Sequence, residues 1–201
     1  MKPGPRPRPP TERFWAKVDK NGPMHPRLGT RCWIWTAGKI AGGYGSFALN
    51  HGTVYTHRYS YEQGTGMFWG WFADGEVDHR CHNFACVNPH HLRAASHKQN
   101  CENLRGAFRN NKSSGVRGIT WDKSCHRWMA RVGHNGKEVY VGRFATIAEA
   151  EAAVVAKRIE LHTHNDVDRG DASVGSRGRH MSVLIPPSSG PGMSCTRSSL
   201  I

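Results

Sequence analysis

Between Val77 and Asn100 the chain places Asp78, His79, Cys81, Cys86, Asn88, His91 and Asn100, a density of metal-ligating types that the rest of the sequence lacks. Two kinds of chemistry are written into it. Cys81, Cys86 and His91 are each separated by four residues. Zinc takes four soft or borderline donors in a tetrahedron at about 2.0–2.3 Å, and a loop of this length can wrap one ion. The loop supplies three donors, and Cys32, beside Trp33 and Trp35, is the best fourth. His82 and His90 are rival ligands. A structural zinc of this kind contributes roughly 10–16 kcal/mol of coupled binding and folding energy, which offsets the small core that a glycine-rich module can build.

The second set is oxygen-rich. Asp78-His79 closes an expected strand, and Asn100 lies in the first turn of an expected helix. A strand with a helix packed on it can bring the Asp carboxylate and the Asn carbonyl to one hard cation, Mg²⁺ or Mn²⁺, which keeps most of its waters. His79 is then the general base, a neutral imidazole able to take a proton from water. Asn88 is expected to pin the loop so that His79 points correctly.

The elements around these residues read as α+β. Residues 1–10 form a basic, Pro-rich arm expected to be disordered. A short helix follows over Thr11–Lys20, with Thr11 as cap and Phe14, Trp15 and Val18 on its apolar face. Three short strands are expected near Cys32–Thr36, Tyr44–Leu49 and Thr53–Thr56, then a helix from His57 ended by Gly64 and Gly66. Ser96 and Gln99 fit a capping box for the helix that carries Asn100. Residues 106–114 read as a linker. From Val116 three alternating runs predict an antiparallel meander, followed by a helix over Thr146–Leu161. The tail from Asn165 is expected to be disordered.

The formal charge of +13 fits a polyanionic partner. Residues 1–31 hold eight Lys/Arg against two acids and residues 111–164 nine against five, whereas 32–110 hold seven against five. Two basic segments thus flank a nearly balanced centre. No apolar run is long enough for a membrane span, and the N-terminus lacks the apolar stretch of a secretory signal.

The pattern His79, Cys81, Cys86, Asn88-Pro89, His91-Leu92, Asn100, with CWIWT and THRYSYE upstream, resembles the HNH, or ββα-metal, nucleases. The narrower likeness is to the group joining His-Cys box and phage-type HNH homing endonucleases. His-Cys box members lack the acid at position 78, phage members have it and often lack zinc, and this chain carries both. The resemblance implies a zinc-stabilised ββα-metal module over 11–105. It implies an endonuclease that cuts double-stranded DNA to 5′-phosphate and 3′-hydroxyl ends. His79 is then the base, Asp78 and Asn100 hold the catalytic metal, and Arg58 neutralises the cleaved phosphate. Asn111–His164 resembles the APETALA-type, ethylene-response-factor-like DNA-binding domain, carried by SGVRGITWD, RWMARV and YVGRF. That likeness implies a domain over 115–164 whose sheet enters the major groove, with Arg117, Trp121, Arg127, Trp128 and Arg131 as contacts. The implied setting is cytoplasmic and nucleoid-associated, in a bacterial or phage-infected host, with the protein a monomer or homodimer. The rival expectation is a non-enzymatic, sequence-specific DNA-binding regulator whose zinc module is a scaffold. A scaffold needs the zinc ligands but not the pair His79 and Asn100. An RNA-processing nuclease is a third, weaker reading.

Overall fold

A computed structural model describes residues 8–49, 52–68, 75–109 and 111–171. Most of the expected arm and tail therefore lies outside the described residues. The chain divides into two compact units, Met1–Arg105 with Thr163–Asp166, and Gly106–His162 with Val167–Ile201.

The first unit begins with α1, Pro10–Trp15, which has a proline in its first turn where the missing N–H costs nothing. No side chain caps it, so Thr11 is not the cap the sequence predicts. Val18 is not on the helix either. It starts β1, Val18–Asp19, which pairs antiparallel with β2, Ile34–Trp35. The expected three-stranded set is thus two separate ladders, the second being the hairpin of β3, Ser46–Leu49, and β4, Gly52–Tyr55. Phe14, Trp35, Phe47, Tyr59 and Val87 form the core between them. Phe14 lies 4.8–5.3 Å, centroid to centroid, from Tyr59, Trp35 and Phe47.

Helix α2 spans Thr56–Thr65 and ends on Gly66, whose φ of 69° is left-handed. Gly64 is inside the helix rather than at its end. A Cβ there would lie 2.5 Å from the Cβ of Pro89, so the glycine lets the next loop pack against the helix. Strands β5, Glu76–His79, and β6, Leu92–Ala95, pair in the register Glu76↔Ala95 to His79↔Leu92. The loop between them ends in a 3-10 turn, Pro89–His91. Helix α3, His97–Glu102, follows at once. Ser96 caps it through the Gln99 amide at 3.2 Å, and Gln99 reaches back at 2.8 Å. Two strands and a helix therefore set Glu76 against Asn100 and Asp78 against Asn103.

The second unit is the meander β7, Ile119–Asp122, β8, Arg127–His134, and β9, Lys137–Phe144, with a register shift at Ala130/Arg131. Helix α4, Ile147–Leu161, starts in a Thr146/Glu149 capping box and covers one face of the sheet. Ile119, Ala130, Val132, Ala150 and Val154 are the core. Part of the expected linker belongs to this unit: the Asn111 amide donates to the carbonyls of Val116 at 2.7 Å and Ile119 at 3.0 Å. The start of the expected disordered tail forms α5, Asp166–Asp171. Its Asp168 holds the buried Arg158 at 2.6 and 2.9 Å, a partner that a reading by local composition misses. Among the described residues, no helix is long and apolar enough to cross a membrane.

Candidate functional site

Cys32, Cys81, Cys86 and His91 come together, with one donor atom from each lying within 4.8 Å of the others. All four are buried. The 3-10 turn aims His91 Nδ1 at the sulfurs of Cys32 and Cys86, 3.5 and 3.6 Å away. The other ring nitrogen, Nε2, meets the Thr30 hydroxyl at 2.7 Å. This is how a ligating imidazole is oriented: one nitrogen to the ion, the other held by an outer partner. Burial and the neighbouring Cys81 push the Cys32 thiol up to about 11. Hydrogen bonding to Cys86, then burial, raises Cys81 further. Burial holds the His91 imidazole at about 4, with nearby His25 and Arg80 adding to the effect. The Cys32 and Cys81 thiols, crowded into one buried pocket, resist ionising. A divalent ion such as zinc relieves that conflict, and the donor set fits it. His82 lines a different cavity and His90 is exposed, so neither joins the cluster.

Asn88 sits with the cluster and not with the chemistry its neighbours suggest. Its amide donates to the Arg31 carbonyl at 2.7 Å, its oxygen accepts from the His90 amide at 3.1 Å, and its own N–H points to Cys86 Sγ at 3.5 Å. It ties the 3-10 turn to the segment before β2 that brings Cys32.

Beside the cluster, a cavity of about 570 Å³ is lined by residues of β5, α2 and α3, with Tyr44 and Phe84. His79 is 4% exposed, and its Nε2–H donates to the Cys86 carbonyl at 3.0 Å. That bond leaves Nδ1 with the lone pair. Burial holds this imidazole down at about 4, so it is neutral. The loop between β5 and β6 thus both carries a residue of the Cys/His cluster and orients the imidazole, through the same residue, Cys86.

The oxygen donors are arranged as a ladder. Glu76 and Asp78, two apart on β5, share a face, and Asn100 of α3 and Asn103, the residue that caps the end of α3, meet them. Asn100 Nδ2 donates to Glu76 at 2.5 Å and Asn103 Nδ2 to Asp78 at 3.0 and 3.1 Å. Asp78 also receives Arg93 Nε and Nη2 at 2.9 and 2.7 Å, and Arg93 reaches Asp166 at 2.8 Å. Asp166 is in turn paired with Arg27. Burial raises the Glu76 carboxyl, but hydrogen bonds from His97 and Asn100 outweigh it and leave the group lowered.

The predicted residues Asp78, His79, Asn100 and Arg58 therefore line one cavity. Asn100 faces Glu76, and Asp78 is engaged by Arg93 and Asn103. Glu76 was legible by strand alternation with Asp78 and went unread. His57 was also missed: it is 4% exposed, lines the cavity and lies 4.8 Å from His79, ring to ring. Burial, the nearby His79 and Arg58 hold it neutral, its pKa lowered to about 2.

In the second unit the expected DNA contacts fall on two faces. Trp121 is directly opposite Trp128 in the ladder, on the side of Ile119 and Ala130, which α4 covers. Trp128 packs against the core, and Trp121 is 37% exposed at its edge. Arg127 and Arg131 alternate to the open face, where Arg131 pairs with Glu138 at 2.7 Å. Arg117 precedes β7, and its carbonyl accepts from Arg158 at 2.9 Å. Tyr140 and Arg143 share the open face and were not among the predicted contacts. Arg143 pairs with Asp122 at 2.9 Å.

No protein-family model, curated protein or solved structure matches the chain.

Proposed function

We propose that the chain is a metal-dependent DNA endonuclease of the HNH, homing kind, with a structural zinc on Cys32, Cys81, Cys86 and His91. The observation that carries the reading is one cavity lined by a neutral imidazole with a committed tautomer, an Asn amide and two carboxylates. A scaffold for zinc has no use for that set. His79 Nδ1 takes the proton from a water that attacks phosphorus. The P–O3′ bond breaks as the new P–O bond forms, and the departing 3′-oxygen takes a proton from a solvent water, leaving 5′-phosphate and 3′-hydroxyl ends. A divalent cation held by Asn100 and a β5 carboxylate, Mg²⁺ or Mn²⁺, would supply charge neutralisation at the phosphate and the leaving oxygen. Asp78 can join such a cation only by loosening Arg93 and Asn103, whereas Glu76 already touches Asn100. Arg58 is placed to offset phosphate charge. Arg127, Arg131 and Arg143 on the open face of the second unit supply a grip on duplex DNA that the ethylene-response-factor-like reading requires, with Arg117 at its entrance.

The test is supercoiled plasmid with Mg²⁺, Mn²⁺ or chelator. The wild type is expected to nick or linearise DNA with metal only. His79→Ala should lose about 10²–10⁴-fold in rate while keeping its zinc. Undiminished cleavage by His79→Ala sinks the proposal. The second reading, a non-enzymatic DNA-binding regulator, is favoured by one observation: Asp78 and Asn100 are already hydrogen-bonded to protein partners. It predicts tight duplex binding with no metal-dependent cleavage at all.

A further inference from the structure

One part of the cavity lining is polar and charged, but another is not. Tyr44 lies on Phe84 at 4.8 Å between centroids, tilted by 31°. It also lies 5.3 Å from His57, which contacts Tyr55 at 5.6 Å and His79 at 4.8 Å. Five rings thus form a continuous wall. Two of them open to solvent, Phe84 at 47% and Tyr55 at 38% exposure, and Leu104 on the same cavity is 41% exposed. Exposed apolar groups gathered around a polar floor mark a binding surface. Phe84 is informative because it sits between the cluster ligands Cys81 and Cys86, where a polar loop residue would serve the metal equally well. Arg58 and Arg105 share the lining with Glu76 and Asp78, so on the nuclease reading, with a divalent cation held by a β5 carboxylate, the site favours negative charge next to a flat apolar group. A nucleotide has both. In an intact duplex the bases are stacked inside the helix and offer only their edges. An unpaired base offers its π-face, which aromatic side chains take without regard to sequence.

We infer that the cavity seats an unpaired base beside the cleaved linkage, so that the substrate is DNA with single-stranded character at the cut. The inference rests on the nuclease reading and names its substrate class. The test uses the full chain with Mg²⁺ and three labelled oligonucleotides of one sequence: a single strand, its perfect duplex, and the duplex with a central mismatch bubble. The single strand and the bubble are expected to be cut about ten-fold or more faster than the duplex, the scale of one base–aromatic stack. In Phe84→Ala that ratio should fall to near unity, and Phe84→Tyr should restore it, with zinc content measured to verify the fold. A parallel titration in Ca²⁺ with 2-aminopurine in the single strand reads base capture directly, as quenching in the wild type that is lost in Phe84→Ala. Equal or faster cutting of the duplex, or a ratio that Phe84→Ala leaves unchanged, overturns the inference and leaves the nuclease reading standing. Cleavage of none of the three strikes the nuclease reading instead. Base capture then stands or falls on the quenching alone.

Discussion

The two units of this chain solve the problem of a small core in opposite ways. The second uses the ordinary solution: a sheet face and a helix stripe bury Ile119, Ala130, Val132, Ala150 and Val154 together. The first has strands of two to four residues and helices of six to ten. Its functional side holds Cys32, Cys81, Cys86, His91, His79, His57, Asp78 and Asn103, all buried. Polar burial is stabilising only when each group has a partner. The ladder of Glu76 and Asp78 against Asn100 and Asn103 supplies partners in one half of that site, and a metal would supply them in the other. The first unit therefore adds a buried polar cluster to its core of Phe14, Trp35, Phe47, Tyr59 and Val87, whereas the second rests mainly on apolar burial.

The strongest way to break that contrast is to strip any metal that the Cys32, Cys81, Cys86 and His91 cluster would hold. Chelation, or Cys86→Ser, is expected to unfold the first unit, because about 10 kcal/mol or more of coupled energy is lost. Amide exchange should then show loss of protection in β5, β6 and α3 and retained protection in β7 to β9. Equal loss in both units would erase the contrast. The next effect sharpens it from the other side. Arg158 and Asp168, 8% and 9% exposed at their side chains, are a buried ion pair in the apolar unit. Arg158→Met strands Asp168 and should cost about 3–5 kcal/mol by denaturant unfolding. Replacing both partners by apolar residues should cost far less.

Acid separates the units more gently. His57 has a folded pKa lowered to about 2 against an ordinary 6.5, so the unfolded state binds the proton first. Stability conferred by the neutral ring is full above pH 6.5 and declines as pH falls towards 2. Between pH 7 and pH 5 that loss is about 2 kcal/mol. His57→Phe should flatten the slope, and a slope unchanged in that variant would discount the burial of the ring. The smallest effect is expected in the second unit. Thr146→Ala removes the cap of α4 and should cost about 1 kcal/mol in thermal or denaturant melts, with no change in metal content or DNA cleavage.

Much of the site was legible because its causes are local or chemical. Zinc demands soft donors at loop spacing, and that demand picks out Cys81, Cys86 and His91, with Cys32 as the matching distant thiol. The capping box at Ser96 and Gln99 places the start of α3, and with it Asn100. What was not legible was which acceptor each polar group takes. Nothing local pairs Asn100 with Glu76, Asp78 with Arg93 and Asn103, or Arg158 with Asp168. Each is a choice among several oppositely matched groups made by distance after folding. The same holds for Trp121 and Trp128. Composition offers them as contacts, and the β7–β8 register turns them to the helix side.

By itself the amino-acid order determined most of the kinds of element, the net positive charge and the four Cys/His donors, because each follows from short-range sterics, periodicity, composition or ligand type. Tertiary structure alone decided which tautomer His79 keeps, which carboxylate stands beside Asn100 and which rings wall the cavity. Those outcomes depend on contacts a few ångströms long between residues from seven apart, His79 and Cys86, to 24 apart, Glu76 and Asn100, or more, and hydrogen bonding and desolvation act only at that range.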